Sequence, residues 1–399
     1  MVLAVSNIRI LDGVGGHRPT GTVLIEHDRI RAAGETRQMR VPRGARRLNG
    51  RGLTVMPGLI DCHVHFCLGA EPDVVAAIAS ESVEVNLLKA ALAARRTVEA
   101  GFTTVRDVGC RDHSIFSLQQ AIASGVTPGP RIMAAGRAIC MPGGHARFIG
   151  RETAGTEAVR GAVREELKAG AEVIKVIASG GVLTPGTSPD EAQMTIDELR
   201  AAVQEAGRQG RHVAAHAHGA SGMKNALRAG VLSIEHATLM DDEARSMMKQ
   251  QGVFMVPTLS ALATTAACGA GCGIPAAAVD KARHMIKRHE RSFSLAHENG
   301  LSIALGTDAG TPFNFHGENA QELERMTALG MTPMEAIIAA TSTAARLLGI
   351  DRDVGSIEAG KTADLVFVEG NPLRRIDLLM KKERLVGVMR SGRFVAGSL

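Results

Sequence analysis

The sequence predicts an α/β fold: a (β/α)8 TIM barrel over residues 58–354, with a small composite β-sandwich domain built from both chain ends, 1–57 and 355–399. Three observations predict it. Short apolar runs alternate with amphipathic helical stretches through the middle of the chain, which argues for parallel strands joined by helical crossovers. A glycine closes most of the helical stretches, at Gly101, Gly125, Gly170, Gly210, Gly230, Gly252 and Gly300, and glycine past a helix end adopts the left-handed conformation without cost. Both ends of the chain are strand-like and short of helical pattern.

Near the N-terminus the apolar runs at 5–11, 23–32 and 53–56 are separated by Gly- and Arg-rich turns. Eight candidate strands follow, at 59–66, 103–108, 131–139, 173–178, 212–217, 231–237, 254–259 and 302–307. The helix after the first of them, around 81–99, carries Val85, Leu88, Leu92 and Val98 with charges between. Thr195-Ile196-Asp197-Glu198 and Thr332-Pro333-Met334-Glu335 fit capping boxes, the second with proline in the first helical position. Strand texture returns at 363–368 and 385–395. An open, doubly wound sheet is the rival architecture, but it gives no reason for polar residues at the ends of so many different strands.

Composition narrows the function classes. The 399 residues are 45% hydrophobic and 22% charged, with no Trp, no Tyr and ten Phe, so the core must be aliphatic. The net charge of +5 is scattered, without a basic run or aromatic interleaving, which argues against a nucleic-acid partner. No run approaches the ~18 apolar residues of a membrane span, and the N-terminus has no leader pattern. The six cysteines show no paired framework, and Cys268 and Cys272 bracket a Gly/Ala stretch that reads as a flexible loop. Free thiols fit a reducing, cytoplasmic setting.

The chemistry lies where barrel strands end, the face on which such folds carry their sites. The first candidate strand ends in His63 and His65, which alternation puts on one face. The fourth carries Lys175, the fifth His216 and His218, the sixth Glu235-His236, and the eighth Asp308. Each has a bland reading: a strand histidine is often a satisfied core group, a strand lysine an edge residue, and an aspartate after Gly-Thr an N-cap. Together, from five strands at one mouth, they point to a metal site, since His and Asp suit Zn²⁺ and related ions. Lys175 among apolar neighbours would lose its charge readily, and a neutral amine can take up carbon dioxide as a carbamate. His145 in Met141-Pro142-Gly143-Gly144-His145-Ala146-Arg147 is the best candidate for a substrate contact, its alternative being a solvated loop histidine.

In PGLIDCHVH, VIKVIASGG, HAH, IEHAT, GTDAG and the tail GSIEAGKTADLVFVEGNP the chain resembles the amidohydrolase superfamily, specifically the binuclear-metal dipeptidase branch related to imidazolonepropionase. The resemblance covers nearly the whole chain. It implies two divalent metal ions, with zinc expected: His63, His65 and Asp308 on the first, His216 and His236 on the second, and N6-carboxylated Lys175 bridging both together with a hydroxide. It implies attack by that hydroxide, with Asp308 moving the proton to the leaving nitrogen. His218 falls on no ligand position of the pattern and, with His145, Arg147 and His316, is a candidate for substrate contact. Arg151 and His113 are further candidates for holding a substrate carboxylate. Ala237-Thr238-Leu239 stand where many bacterial members carry a tyrosine. The resemblance implies cleavage of dipeptides with a free C-terminal carboxylate, L-Xaa-L-Pro first. Xaa-Arg or Xaa-Lys dipeptides, N-acyl amino acids, ochratoxin-type amides and cyclic amides are alternatives, and a non-catalytic scaffold is a remote one. Related barrels associate, so a homo-oligomer is expected.

Overall fold

The computed structural model describes residues 2–268 and 271–399. The chain opens with β1 (Val2–Leu11), β2 (His17–Glu26), β3 (Arg29–Glu35), β4 (Arg46–Asn49) and β5 (Leu53–Pro57). Its middle carries β6 (Leu59–Val64), β7 (Phe102–Asp107), β8 (Arg131–Ala134), β9 (Ala138–Cys140), β10 (Gly150–Glu152), β11 (Val173–Ile177), β12 (His212–Gly219), β13 (Ser233–Leu239) and β14 (Phe254–Val256). It closes with β15 (Leu365–Glu369), β16 (Leu385–Arg390) and β17 (Arg393–Gly397). The fold is mixed α/β with parallel sheets.

The two ends meet in one eight-stranded sheet, ordered β17-β16-β15-β5-β1-β2-β3 with β4 beside β1. The antiparallel pairing of β15 with β5, Leu365 opposite Pro57 through Glu369 opposite Leu53, joins the last part of the chain to the first. Alternating residues such as Val5, Ile25, Val55, Leu365 and Phe367 pack into its own aliphatic core. Two parallel sheets hold the middle strands, β6-β7-β8 and β10-β9-β11-β12-β13-β14. Backbone hydrogen bonds link them: Glu172 N–H donates to Ala134 O (2.9 Å) between β8 and the approach to β11. Across the other gap, residues 302–309 receive and return bonds on both sides, from Met255 to Ser302 (2.9 Å), Cys62 to Leu305 (2.8 Å) and Asp308 to His63 (2.8 Å).

Several expected elements change shape. The run 302–307 forms no continuous strand: Ile303 makes a single parallel bridge with Met255 and, beyond the run, Ala309 makes one with Val64, past the left-handed Asp308 (φ 61°). The run 131–139 divides into β8 and β9 around Gly136, whose φ is 72°. The helix Val83–Glu99 forms, but it buries Asn86, Ala90, Ala94, Thr97 and Val98. Its larger residues Val85, Leu88 and Leu92 are exposed, since the small alanines permit the closer approach to the sheet.

Both capping boxes are present, at Thr195/Glu198 and at Thr332/Glu335 with Pro333 opening its helix. Thr332→Ala is expected to cost about 1 kcal/mol, read as a lower urea midpoint at unchanged slope; an unmoved midpoint would show that the cap contributes nothing. All seven helix-closing glycines have positive φ.

The expectation of free thiols is corrected at one pair: Cys268 and Cys272 are joined in a disulfide, with Cα atoms 6.1 Å apart. Cys268 caps the end of the helix Leu259–Ala267; of the intervening stretch read as a loop, Gly269 and Ala270 lie outside the described residues. Cys62, Cys67, Cys110 and Cys140 are free and buried. Among the described residues no helix is long and apolar enough to cross a membrane.

Candidate metal centre and cavity

The C-terminal ends of β6, β11, β12 and β13, with the Gly306–Ala309 turn, converge on one cavity. Two groups of potential ligand atoms face it, each within a 4.8 Å span: His63, His65 and Asp308, and His216, His218 and His236. In the first, Asp308 Oδ1 lies 3.4 Å from His63 Nε2 and 3.2 Å from His65 Nε2. In the second, the His216 ring centroid is 4.7 Å from His218 and 4.6 Å from His236, and His218 stacks on His236 at 20°. Lys175 lines the same cavity, Nζ 3.5 Å from His63 Nε2.

Each ring is oriented from behind, leaving its other nitrogen toward the cavity. His65 Nδ1–H donates to Gly109 O (2.9 Å), and His216 Nε2–H to Gly180 O (3.2 Å). His218 Nδ1 meets Thr238 Oγ1 and His236 Nδ1 meets Thr258 Oγ1, both at 2.7 Å. His63 Nδ1 is 2.8 Å from Glu235, whose other oxygen accepts from Arg106 (2.7 Å) and Ser233 (2.6 Å). Arg106 also donates to Cys62 O at 2.6 Å. Below, Asp61 accepts from the backbone of His63 and Thr307 and from the side chains of Thr307 and Asn319.

Burial sets the charge states. It holds the His216, His218 and His236 rings well below their usual range, hence neutral and able to ligate. Burial also draws the Lys175 ammonium down to about 8, against the pull of the Glu235 and Asp308 carboxylates. Burial would raise the Asp308 carboxyl, but His63 and His65 overcome it and keep the group well below the usual carboxylate range. Burial likewise opposes ionisation of Glu235, and Arg106 with His63 holds it at about 2. Four non-glycine residues around the centre are left-handed: His236 (φ 71°), Ala237 (50°), Thr258 (54°) and Asp308 (61°). Such conformations cluster at sites where surrounding structure over-determines them.

Above the histidines the cavity wall is apolar, with Phe148, Ile149, Val182, Leu183 and Leu262. Among the described residues lining it, Asp308 is the only carboxylate. His145 also lines it, its ring centroid 4.6 Å from that of His216, and burial holds its pKa at about 3.

The structure thus brings together His63, His65, His145, Lys175, His216, His218, His236 and Asp308. It does not bring Arg147 or His316 to the cavity. The Arg147 side chain is exposed; His316 stacks on Phe66 at 5.0 Å, its Nε2–H shared by the carbonyls of His65 and Leu68. Arg151 and His113 are likewise engaged elsewhere, with Glu165 and Glu166. Sequence reasoning missed Arg106, Thr184, Thr238 and Thr258, and gave Glu235 no role. A charged residue inside a predicted strand, as Arg106 and Glu235 both are, was the available signal.

A mixed α/β chain with parallel sheets and two buried His/Asp clusters at one mouth describes a class of metal-binding hydrolytic folds. The amidohydrolase family profile matches residues 54–395, and the chain belongs to that family. The ochratoxinase of Aspergillus niger is 32% identical over 376 residues, covering 86% of this chain and 76% of the relative. A solved Xaa-Pro dipeptidase with methionine bound in its active site is 36% identical with a TM-score of 0.91, covering 99% of each chain. A prolidase complexed with N-methylphosphonate-L-proline is 32% identical, also with a TM-score of 0.91 and 99% coverage of each.

Proposed function

We propose that this amidohydrolase cleaves the amide bond of dipeptides with a free C-terminal carboxylate, L-Xaa-L-Pro first. The observation that carries this reading is the meeting of two buried ligand clusters, His63/His65/Asp308 and His216/His218/His236, with Lys175 in a largely apolar cavity whose one carboxylate among the described residues is Asp308. The donor set fits two divalent cations: buried imidazoles of fixed orientation, a carboxylate held ionised, and an amine of lowered pKa. In this reading His63, His65 and Asp308 hold one ion, and His216 and His236 the other. Lys175, once carboxylated by carbon dioxide with release of a proton, would supply further oxygen donors. Bound there, the ions supply Lewis acidity, lowering the pKa of a water and polarising the scissile carbonyl.

The protein's own groups do the rest. Asp308 takes the proton of the attacking water and delivers it to the leaving nitrogen. His145, beside His216 in the cavity lining, meets the substrate. Glu235 and Arg106 keep His63 in place. The hydrogen bonds of residues 302–309 to both neighbours support a closed eight-stranded (β/α)8 barrel over 58–354, with 1–57 and 355–399 as its companion domain.

The cavity disfavours Xaa-Arg and Xaa-Lys, because among the described lining residues a cationic side chain would find no carboxylate besides Asp308, already engaged by His63 and His65. Its apolar wall does favour a second reading, an aromatic amide of the ochratoxin type. Hydrolysis of L-Xaa-L-Pro, L-Xaa-L-Arg, L-Xaa-L-Leu and ochratoxin A by zinc-loaded protein separates these. Preferential Xaa-Pro cleavage supports the first reading; turnover of ochratoxin A alone, or of Xaa-Arg, overturns it. Lys175→Ala is expected to lower zinc content from two ions per chain to one or none and to abolish turnover. Two retained ions with parental rates would remove Lys175 from the centre.

A further inference from the structure

Behind His145 the structure holds a small device that the proposed reaction leaves unexplained. His145 Nδ1 lies 3.0 Å from Thr184 Oγ1, and the same hydroxyl oxygen accepts the Ala146 N–H at 3.2 Å. Thr184 is 2% exposed. Its hydroxyl proton has one acceptor among the described residues, His145 Nδ1. Were Nδ1 protonated instead, the hydroxyl proton would be buried without a partner, which is costly. The arrangement therefore selects the tautomer with its proton on Nε2. Nε2 makes no hydrogen bond among the described residues and stands over Gly181, where a side-chain Cβ would come within 2.2 Å of it.

Thr184 is itself pinned. Lys281, on the helix Ala276–Glu298, donates to the carbonyls of Gly181 (3.2 Å), Thr184 (3.0 Å) and Thr187 (2.7 Å). The loop is thereby wrapped around one ammonium group. Pro185 restricts the backbone of Thr184 further, and Gln193 accepts the His145 N–H at 2.8 Å.

We propose that Thr184, clamped by Lys281, is a positioning residue that locks His145 in the Nε2–H tautomer, so that His145 presents an N–H donor to an anionic oxygen of the substrate. The chain has no tyrosine that could supply such a donor. The substrate half of this statement rests on the function proposed above; the tautomer half does not.

The test is therefore in two parts. Nitrogen NMR of the zinc-loaded, ¹⁵N-histidine-labelled full chain, with the His145 signals identified by their loss in His145→Gln, reads the tautomer without turnover. Expected are a protonated Nε2 and a bare Nδ1 in the parent and in Thr184→Ser, and a shifted or mixed state in Thr184→Val. A protonated Nδ1 in the parent overturns the proposal whatever the variants do, as does an unchanged tautomer in Thr184→Val. Kinetics on Xaa-Pro form the second part. Thr184→Val should lower kcat/KM roughly tenfold or more, Thr184→Ser should restore it, and Lys281→Met should reproduce part of the loss. Parental kcat/KM in Thr184→Val overturns the substrate-donor role. If no dipeptide is cleaved, the function reading fails while the NMR result still decides the tautomer.

Discussion

Asp308→Asn is expected to lower kcat on Xaa-Pro by about 10²–10⁴-fold while leaving the fold in place. The argument is local. Asp308 sits at φ 61°, a conformation that asparagine tolerates nearly as well as aspartate. Its backbone bond to His63 O (2.8 Å) and the Thr311 bond to its own carbonyl (3.2 Å) do not involve the carboxylate. What disappears is a basic oxygen 3.2–3.4 Å from His65 and His63, and with it both a metal donor and the group that moves the proton. Melting temperature, metal content and kcat measured on one preparation separate these losses. Rates within a few-fold of the parent, at full metal occupancy, would take proton transfer away from Asp308.

The largest effect on stability is expected from Arg106→Met. Arg106 and Glu235 have side chains 3% and 0% exposed and meet at 2.7 Å. Removing the guanidinium leaves a carboxylate in the interior with only Ser233 and His63 against it. Breaking a buried pair from one side costs about 3–5 kcal/mol, measured here as the fall in unfolding free energy in urea. Arg106→Met combined with Glu235→Leu should recover part of that, because no charge is then stranded. It should not recover activity, since His63 Nδ1 loses its 2.8 Å partner. A loss below about 1 kcal/mol in the single variant would place the pair among those contributing little to stability.

How far the sequence could be read depended on whether a signal was local. The capping boxes at Thr195 and Thr332 and the glycine stops occupy a few consecutive residues, and the helices begin and end there. The histidines and Asp308 could be gathered because strand alternation and strand ends are also local properties, and the fold then carries them to one mouth. Arg106 and Glu235 are 129 residues apart, and nothing in either segment names its partner. Arg147 opens a short 3-10 turn, Arg147–Ile149, and His316 lies in a turn; where such a side chain points depends on what it meets, solvent for one and the Phe66 ring for the other. The helix expected around 81–99 forms as Val83–Glu99, but its apolar positions do not by themselves give its buried face, which is Asn86, Ala90, Ala94, Thr97 and Val98 rather than the leucines. Lys281 illustrates the opposite case, a lysine in an ordinary helical pattern whose three acceptors lie about a hundred residues away.

The left-handed backbone at His236, Ala237, Thr258 and Asp308 has an evolutionary consequence. Each such residue is held against its own preference by about 1–3 kcal/mol, sustained by the packing and hydrogen bonds around it rather than by any ligand. The site is therefore assembled at the expense of the fold's margin of stability. Selection for a more robust molecule would push these positions toward glycine, and selection for a defined imidazole geometry would resist it. The mouth of the cavity is the part of this chain where durability and catalytic precision compete for the same few residues.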